Sequence, residues 1–195
     1  MIRHSRRGVP WALLGAAAAI LAALLVVVAW KPFVMWPLQG IAVGLVAGVA
    51  AFAYDEPAAA LVDTLPRGLA WRTAARSLGV VLLLCWWLAM VTFTRDAYFG
   101  HAVDVAWQGV AATLAVVAVT ALLRRRGLAS PATLVASAVV GGAAYLALAR
   151  PFDEHLAVFP YTAAGAWDGS LVLWTAVALV AGGSLYLTLS RHLVL

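Results

Sequence analysis

Six runs of predominantly apolar residues fix what this chain can fold into. They cover residues 9–30, 33–54, 77–94, 105–123, 131–149 and 171–190, with short polar segments between them. A helix needs about 20 apolar residues to cross the hydrocarbon of a bilayer, where the backbone must satisfy its own hydrogen bonds. The pattern therefore predicts an all-α, polytopic membrane protein, folded as a single bundle of six transmembrane helices.

The composition points the same way and limits the partners. The chain is 65% hydrophobic and 11% charged, with a mean hydropathy of +0.98, which lies outside the range of soluble globular domains. Its net charge of +5 comes from short basic clusters between apolar runs. Such clusters are typical of topology signals and lipid-headgroup contacts. We therefore expect a lipid bilayer, and no nucleic acid, as a partner.

The basic residues divide unevenly between the two sides of a six-helix bundle. Cytoplasmic segments of membrane proteins are enriched in Lys and Arg. Both termini and the segment 55–76 are therefore predicted to be cytoplasmic. One side carries ten basic residues (Arg3, Arg6, Arg7, Arg67, Arg72, Arg76, Arg124, Arg125, Arg126, Arg191) and the other carries three (Lys31, Arg95, Arg150).

The second apolar run contains a stripe of glycines. Gly40, Gly44 and Gly48 recur at four-residue spacing, which puts all three on one face of a helix. Small residues allow another helix to approach closely. We expect this face to be buried against protein rather than lipid, as a helix-packing or subunit interface.

The longest polar interruption is residues 55–76. Asp55 and Glu56 before Pro57 are typical of a helix start. The following residues place apolar side chains on one face until Pro66 and Gly68 end the pattern. A short amphipathic cytoplasmic helix is therefore predicted between the second and third spans. We interpret the segment as a docking element for a cytoplasmic partner, or alternatively as a connector lying on lipid headgroups. Its candidate contact residues are Asp55, Glu56, Asp63, Arg67, Arg72 and Arg76.

Catalytic chemistry is not indicated by the apolar runs. None of them has Asp, Glu, Lys, Arg or His near its middle. This weighs against a self-sufficient proton-coupled transporter, an intramembrane protease and a haem protein with axial histidines in its helices. No phosphate-binding loop motif is present, so any ATP would be hydrolysed by another chain. We expect a protein that is not an enzyme and carries no cofactor.

Two segments predicted to lie on the outer side contain five of the eight acids and two of the four histidines. The acids and histidines could converge on a divalent metal, but their spacing is not diagnostic of a site. Solvated charges, with an ion pair between Arg150 and Asp153, are the alternative, and we expect no metal. The segment 150–170 keeps an apolar, aromatic interior, which suits a position in the membrane interface or a partial dip into the bilayer. The convergent residues are Asp96, His101, Asp104, Asp153, Glu154 and His155.

These features together resemble the membrane subunits of type-2 ATP-binding-cassette exporters. The shared features are six spans, cytoplasmic termini, a short helix between spans two and three, and a half-apolar segment between spans five and six. The run DEPAAALVDTLP also looks like a loop of small actinobacterial membrane proteins of this kind. The resemblance implies a bacterial plasma-membrane protein whose segment 55–76 couples to a separate ATPase. Because this chain is shorter than a typical permease of that family, the resemblance extends equally to a small accessory membrane subunit of such an exporter.

The resulting expectation is a non-catalytic integral-membrane subunit of an ATP-driven exporter. The alternative is a structural or assembly subunit of a larger integral-membrane enzyme, respiratory or metal-dependent. Such a subunit would contact its partners through the outer loops and the glycine face.

Overall fold

Six long α-helices form the structure, which is a computed structural model. They are α1 (Trp11–Trp30), α2 (Met35–Ala53), α3 (Leu69–Phe93), α4 (Ala102–Arg125), α5 (Ala132–Ala149) and α6 (Trp167–Ser190). The structure describes residues 9–55, 69–152, 156–164 and 166–190, with residues 69–72 and 75 by backbone only. All six helices are long and apolar enough to cross a membrane, and no strand occurs in those ranges. For the residues that the structure describes, the prediction of an all-α fold with six helices able to span a membrane is confirmed. The short helix predicted within 55–76 falls outside the described residues.

Helix ends follow the local sequence. α3 begins at Leu69, before the predicted start at 77, because the stretch 69–76 is rich in Leu, Ala and Arg, which favour a helix. α4 ends in a Schellman motif at Gly127, which has the positive φ of 92° that this turn requires. The amide of Gly127 donates to the carbonyl of Arg124 at 3.0 Å, and that of Leu128 donates to Leu123 at 3.1 Å.

The connections gather at two ends of the bundle. We call the end that holds Tyr54 and Asp55, the first turns of α3, the α4–α5 connection and the last residues of α6 the arginine end. The opposite end is called the aromatic end, and its described residues are 31–34, 94–101, 150–152, 156–164 and 166. Single-turn 3₁₀ helices occur there at Pro32–Val34 and Arg95–Tyr98. Helices α2 and α4 are the most buried of the six, so they form the centre of the molecule.

The glycine stripe of α2 lies against α5. A Cβ atom built on Gly40 or Gly44 would stand 2.6 Å from the Cβ of Ala147 or Ala143, respectively. A Cβ on Gly48 would stand 2.7 Å from a methyl group of Val140. These separations are shorter than real Cβ contacts, so the α2 backbone approaches α5 closely at three successive turns. The glycine face is therefore filled within this chain.

Two adjacent tryptophans fix α3 on both sides. The Trp87 side chain is fully buried over Gly109 of α4, where any Cβ would collide with its indole ring. Its indole nitrogen donates to the carbonyl of Ala106 at 3.1 Å. Trp86 is partly exposed and donates to the carbonyl of Ala18 of α1 at 2.9 Å. Together these hydrogen bonds join α3 to α1 and α4.

Candidate functional site

Asp55 joins three parts of the arginine end. It follows α2 directly, and its carboxylate accepts a hydrogen bond from the Ser130 hydroxyl, whose oxygen lies 2.7 and 2.8 Å from the two carboxylate oxygens. The backbone carbonyl of Asp55 accepts a hydrogen bond from the Arg76 guanidinium of α3. We call these three residues the Asp55 junction. It ties the start of the α2–α3 connection to α3 and to the α4–α5 connection.

Tyr54, which precedes Asp55 and is largely buried, makes a second contact between the end of α2 and α3. Its hydroxyl lies 3.0 Å from that of Ser77, which in turn donates to the carbonyl of Thr73 at 2.9 Å. The Ser77 hydroxyl hydrogen is already donated to Thr73, so the Tyr54 phenol is the donor in its contact with Ser77. The last turn of α2 is thus held to α3 through side chains as well as through Asp55.

Only part of the predicted docking element is visible. Asp55 and Arg76 face each other in the junction, so both make contacts within the chain. The backbone of Arg72 lies in the first turns of α3. Glu56, Asp63 and Arg67 fall outside the described residues.

At the aromatic end, His101 pairs with a nearby acid. Its Nδ1 lies 2.8 Å from a carboxylate oxygen of Asp104, one turn into α4. The imidazole stacks on the indole of Trp167, with ring centroids 4.3 Å apart and planes 1° from parallel. Asp96 is almost fully exposed and lies 3.7 Å from Arg95.

Metal-binding groups do not cluster in the visible part of this end. Among the residues that the structure describes, no three His, Cys, Asp or Glu side chains come together. Asp153, Glu154 and His155 lie outside those residues, as does the suggested ion pair of Arg150 with Asp153. His101 and Asp104 therefore form a pair that the Trp167 ring covers on one side.

Arg150 packs among aromatic rings at the end of α5. Its backbone is left-handed, with φ of 50°. The guanidinium donates to the Tyr161 hydroxyl at 2.8 Å, and its central carbon lies 4.2 Å from the centroid of that ring. The Trp36 ring lies on another side, at 5.9 Å. These contacts join the residue that follows α5 to the start of α2 and to the chain that leads into α6.

The interior of the α5–α6 connection turns into the bundle. We call residues 156–161 the plug. The carbonyl of Val158 accepts hydrogen bonds from the Ser170 hydroxyl and the Trp174 indole of α6, both at 3.0 Å. Phe159 is buried between Gly40 and the Trp174 ring, whose centroid is 5.6 Å away. A non-helical segment therefore enters the space between α2 and α6.

A chain of buried side-chain hydrogen bonds leads from α2 to the plug. The Gln39 amide donates to the Gln108 carbonyl oxygen at 2.7 Å, and the Gln108 amide donates to the Ser170 hydroxyl at 3.2 Å. Ser170 then donates to the Val158 carbonyl. All three side chains belong to residues no more than 2% exposed. The chain thus links α2, α4, α6 and the plug.

This chain of hydrogen bonds was not predicted from the sequence. A signal was present, because Gln39 and Gln108 are the only Gln residues and the sequence has no Asn. Each glutamine stands near the start of a run that is otherwise apolar. Polar side chains in such positions commonly hydrogen-bond across helices.

Comparison of this chain with protein-family models, with curated proteins and with solved structures found no match.

Proposed function

We propose that this protein is a non-catalytic transmembrane subunit of an ATP-driven exporter in a bacterial plasma membrane. In this proposal the segment 55–76 docks a separate cytoplasmic ATPase. The Asp55 junction is the observation that carries the proposal. A displacement of the segment would act on α2 through the backbone, because Asp55 follows that helix directly. It would act on α3 through Arg76 and on the α4–α5 connection through Ser130.

The course of α2 adds support, because this helix runs from the junction to the opposite end of the bundle. Near its other end, Gln39 contacts Gln108, and Gly40 contacts Phe159 of the plug. A tilt of α2 would therefore disturb the hydrogen-bond chain and the plug together. An exporter subunit needs this kind of mechanical link between an ATPase surface and its far side. The topological resemblance to type-2 exporters supports the same function.

Partner identification tests this function directly. The tagged protein would be purified from its native membranes in mild detergent, and its co-purifying proteins identified by mass spectrometry. We expect a cytoplasmic ATPase in stoichiometric amount. Redox or metal-containing membrane subunits in its place would refute the exporter assignment and favour the alternative of an assembly subunit.

Charge variants then separate docking from folding. In an Asp55→Asn, Glu56→Lys double variant, Asn still offers Ser130 an oxygen acceptor, while both negative charges at the start of the segment are lost. Exposed ion pairs are worth only about 0.2–1 kcal/mol each, but the reversal at Glu56 adds repulsion, so we expect roughly ten-fold less ATPase recovered. The control is Ser130→Ala, which breaks the junction and leaves the acids in place, and which should still recover the ATPase. Undiminished recovery with the double variant would contradict docking through these acids.

A further inference from the structure

An apolar groove runs along the bundle between α4 and α5, with α2 as its floor. Its volume is about 450 Å³, and its lining is almost entirely hydrocarbon. Since α5 packs mainly on α2, the groove stays open along one side, where α4 and α5 diverge. The lining side chains are small or branched, and representative positions are Val43, Val116, Val119, Val139, Gly142 and Leu146.

The length of the groove matches one leaflet of a bilayer. Its lining extends along α4 from Ala112 to Leu123 and along α5 from Leu134 to Leu146. At about 1.5 Å per helical residue, either stretch is about 17 Å long. Half of a hydrocarbon core of about 30 Å is about 15 Å. A lipid chain that entered at the arginine end would therefore lie along most of the groove.

The shape and lining of the groove suit one extended alkyl chain. About 450 Å³ of apolar space runs along about 17 Å of helix. A helix of a partner or of a second copy, about 10 Å in diameter, would have to lie over the open side, and the mass measurement described below distinguishes that arrangement.

The two ends of the groove differ in chemistry. At the aromatic end, the rings of Phe159 and Trp174 close it. At the arginine end, the lining stops at Leu123 and Leu134, beside three consecutive arginines that begin at Arg124. The last of them, Arg126, is exposed at the end of α4. An apolar channel with a positive mouth is complementary to a lipid with a negative headgroup.

We propose that this groove binds one acyl chain of an anionic bilayer phospholipid, with its phosphate at the arginine end near Arg126. The proposal does not depend on the exporter function, because the groove, its length and its charged mouth belong to this chain alone. Phe159 connects the site to the plug, so an acyl chain that fills the groove lies against the same ring that closes the aromatic end.

Two neighbouring glycines provide a matched test. A Cβ at Gly141 or Gly142 would meet no atom within 4 Å, but only Gly142 lines the groove. Leucine is a better helix former than glycine, so both Gly142→Leu and Gly141→Leu should fold, with only the first filling the groove. Ala138→Leu is a second groove-filling variant, should the first express poorly.

The probe is phosphatidylglycerol with a photoreactive diazirine on its acyl chain, in nanodiscs that contain the full-length protein. Labelled peptides would be mapped by mass spectrometry. We expect labelling of residues 134–146 in the wild type and in Gly141→Leu, and at least five-fold less in Gly142→Leu. Equal labelling of the two variants would overturn the proposal, since the lipid would then only surround the protein.

Two further measurements test the headgroup and the alternative occupant. We expect phosphatidylglycerol to label the groove more than a matched phosphatidylcholine probe, and Arg126→Gln to reduce that preference at least two-fold. Equal labelling by both lipids in the wild type would overturn the role of charge. The mass of the protein in detergent should be the same for wild type and Gly142→Leu. A dimer that Gly142→Leu dissociates would identify the groove as an interface between copies instead.

Discussion

The hydrogen bond between Gln39 and Gln108 contributes less to stability than it would cost to leave one of the two buried amides without a partner. A hydrogen bond between helices in a membrane contributes about 0.6 kcal/mol on average and at most about 1.7 kcal/mol. A buried polar group that has lost its partner costs about 1–3 kcal/mol. Because both glutamines are buried, removing one carboxamide should be worse than removing the pair.

A double-mutant cycle tests this asymmetry. We expect Gln108→Leu to lower the free energy of unfolding by about 1–3 kcal/mol, since it leaves the buried Gln39 amide without its acceptor and removes the donor to the Ser170 hydroxyl. Gln39→Leu combined with Gln108→Leu should cost less than the sum of the single changes. The measurement is reversible unfolding in mixed micelles. Strictly additive costs would show that the two side chains do not interact.

A glycine substitution in α2 probes the close approach to α5. Gly44→Ile places a branched side chain where a Cβ already has an impossible contact with Ala143. Overpacking of this kind costs about 1–3 kcal/mol or more, so we expect a clear drop in thermal stability. Gly15→Ile in α1 is the control, because a Cβ there meets no atom within 4 Å. If the two variants melted alike, α2 and α5 would not pack as described.

At the scale of elements, the plug depends on two donors from α6. In a Ser170→Ala, Trp174→Phe variant, the Val158 carbonyl would lose both hydrogen bonds, each worth about 1 kcal/mol. We expect a cysteine at Val158 to react with maleimide at least ten-fold faster in this variant, in a background where Cys85 is replaced by Ser.

A control from the same helix makes the plug experiment specific. Thr175→Val removes the acceptor of the Trp107 indole at 3.1 Å and leaves both donors to the Val158 carbonyl in place. It should leave the labelling rate at Val158 unchanged. Equal acceleration in both variants would mean that α6 loosens as a whole, and that the plug is not held by Ser170 and Trp174.

The helices themselves could be predicted from the sequence, because hydropathy averaged over a span is insensitive to single residues. The same averaging hides Gln39 and Gln108, since one amide barely alters the mean of a run. The choice of α5 as the partner of α2 depends on two faces together. The glycines of α2 match small or branched residues of α5 at Ala136, Val140, Ala143 and Ala147, and only the three-dimensional structure puts these faces in contact. The plug depends on a backbone carbonyl, which no sequence pattern reveals.

For the whole molecule, the distribution of basic residues predicts that both termini and the segment 55–76 are cytoplasmic. In the Cys85→Ser background, cysteines at Arg67 and Arg125 should be labelled by an impermeant reagent only from the cytoplasm. A cysteine at Glu154 should be labelled only from outside. Labelling of positions 67 and 154 from the same side of intact cells would contradict the six-span topology with cytoplasmic termini.

The central position of α2 also has a consequence for synthesis. This helix is made second, yet its closest neighbours α4 and α5 are made fourth and fifth. Gln39 precedes Gln108 by 69 residues, which at about 5–20 residues per second is a delay of roughly 3–14 s. During that interval the Gln39 side chain and the glycine face of α2 are already synthesised but have no partner helix. We therefore expect α2 to remain in contact with the insertion machinery until α5 has been synthesised.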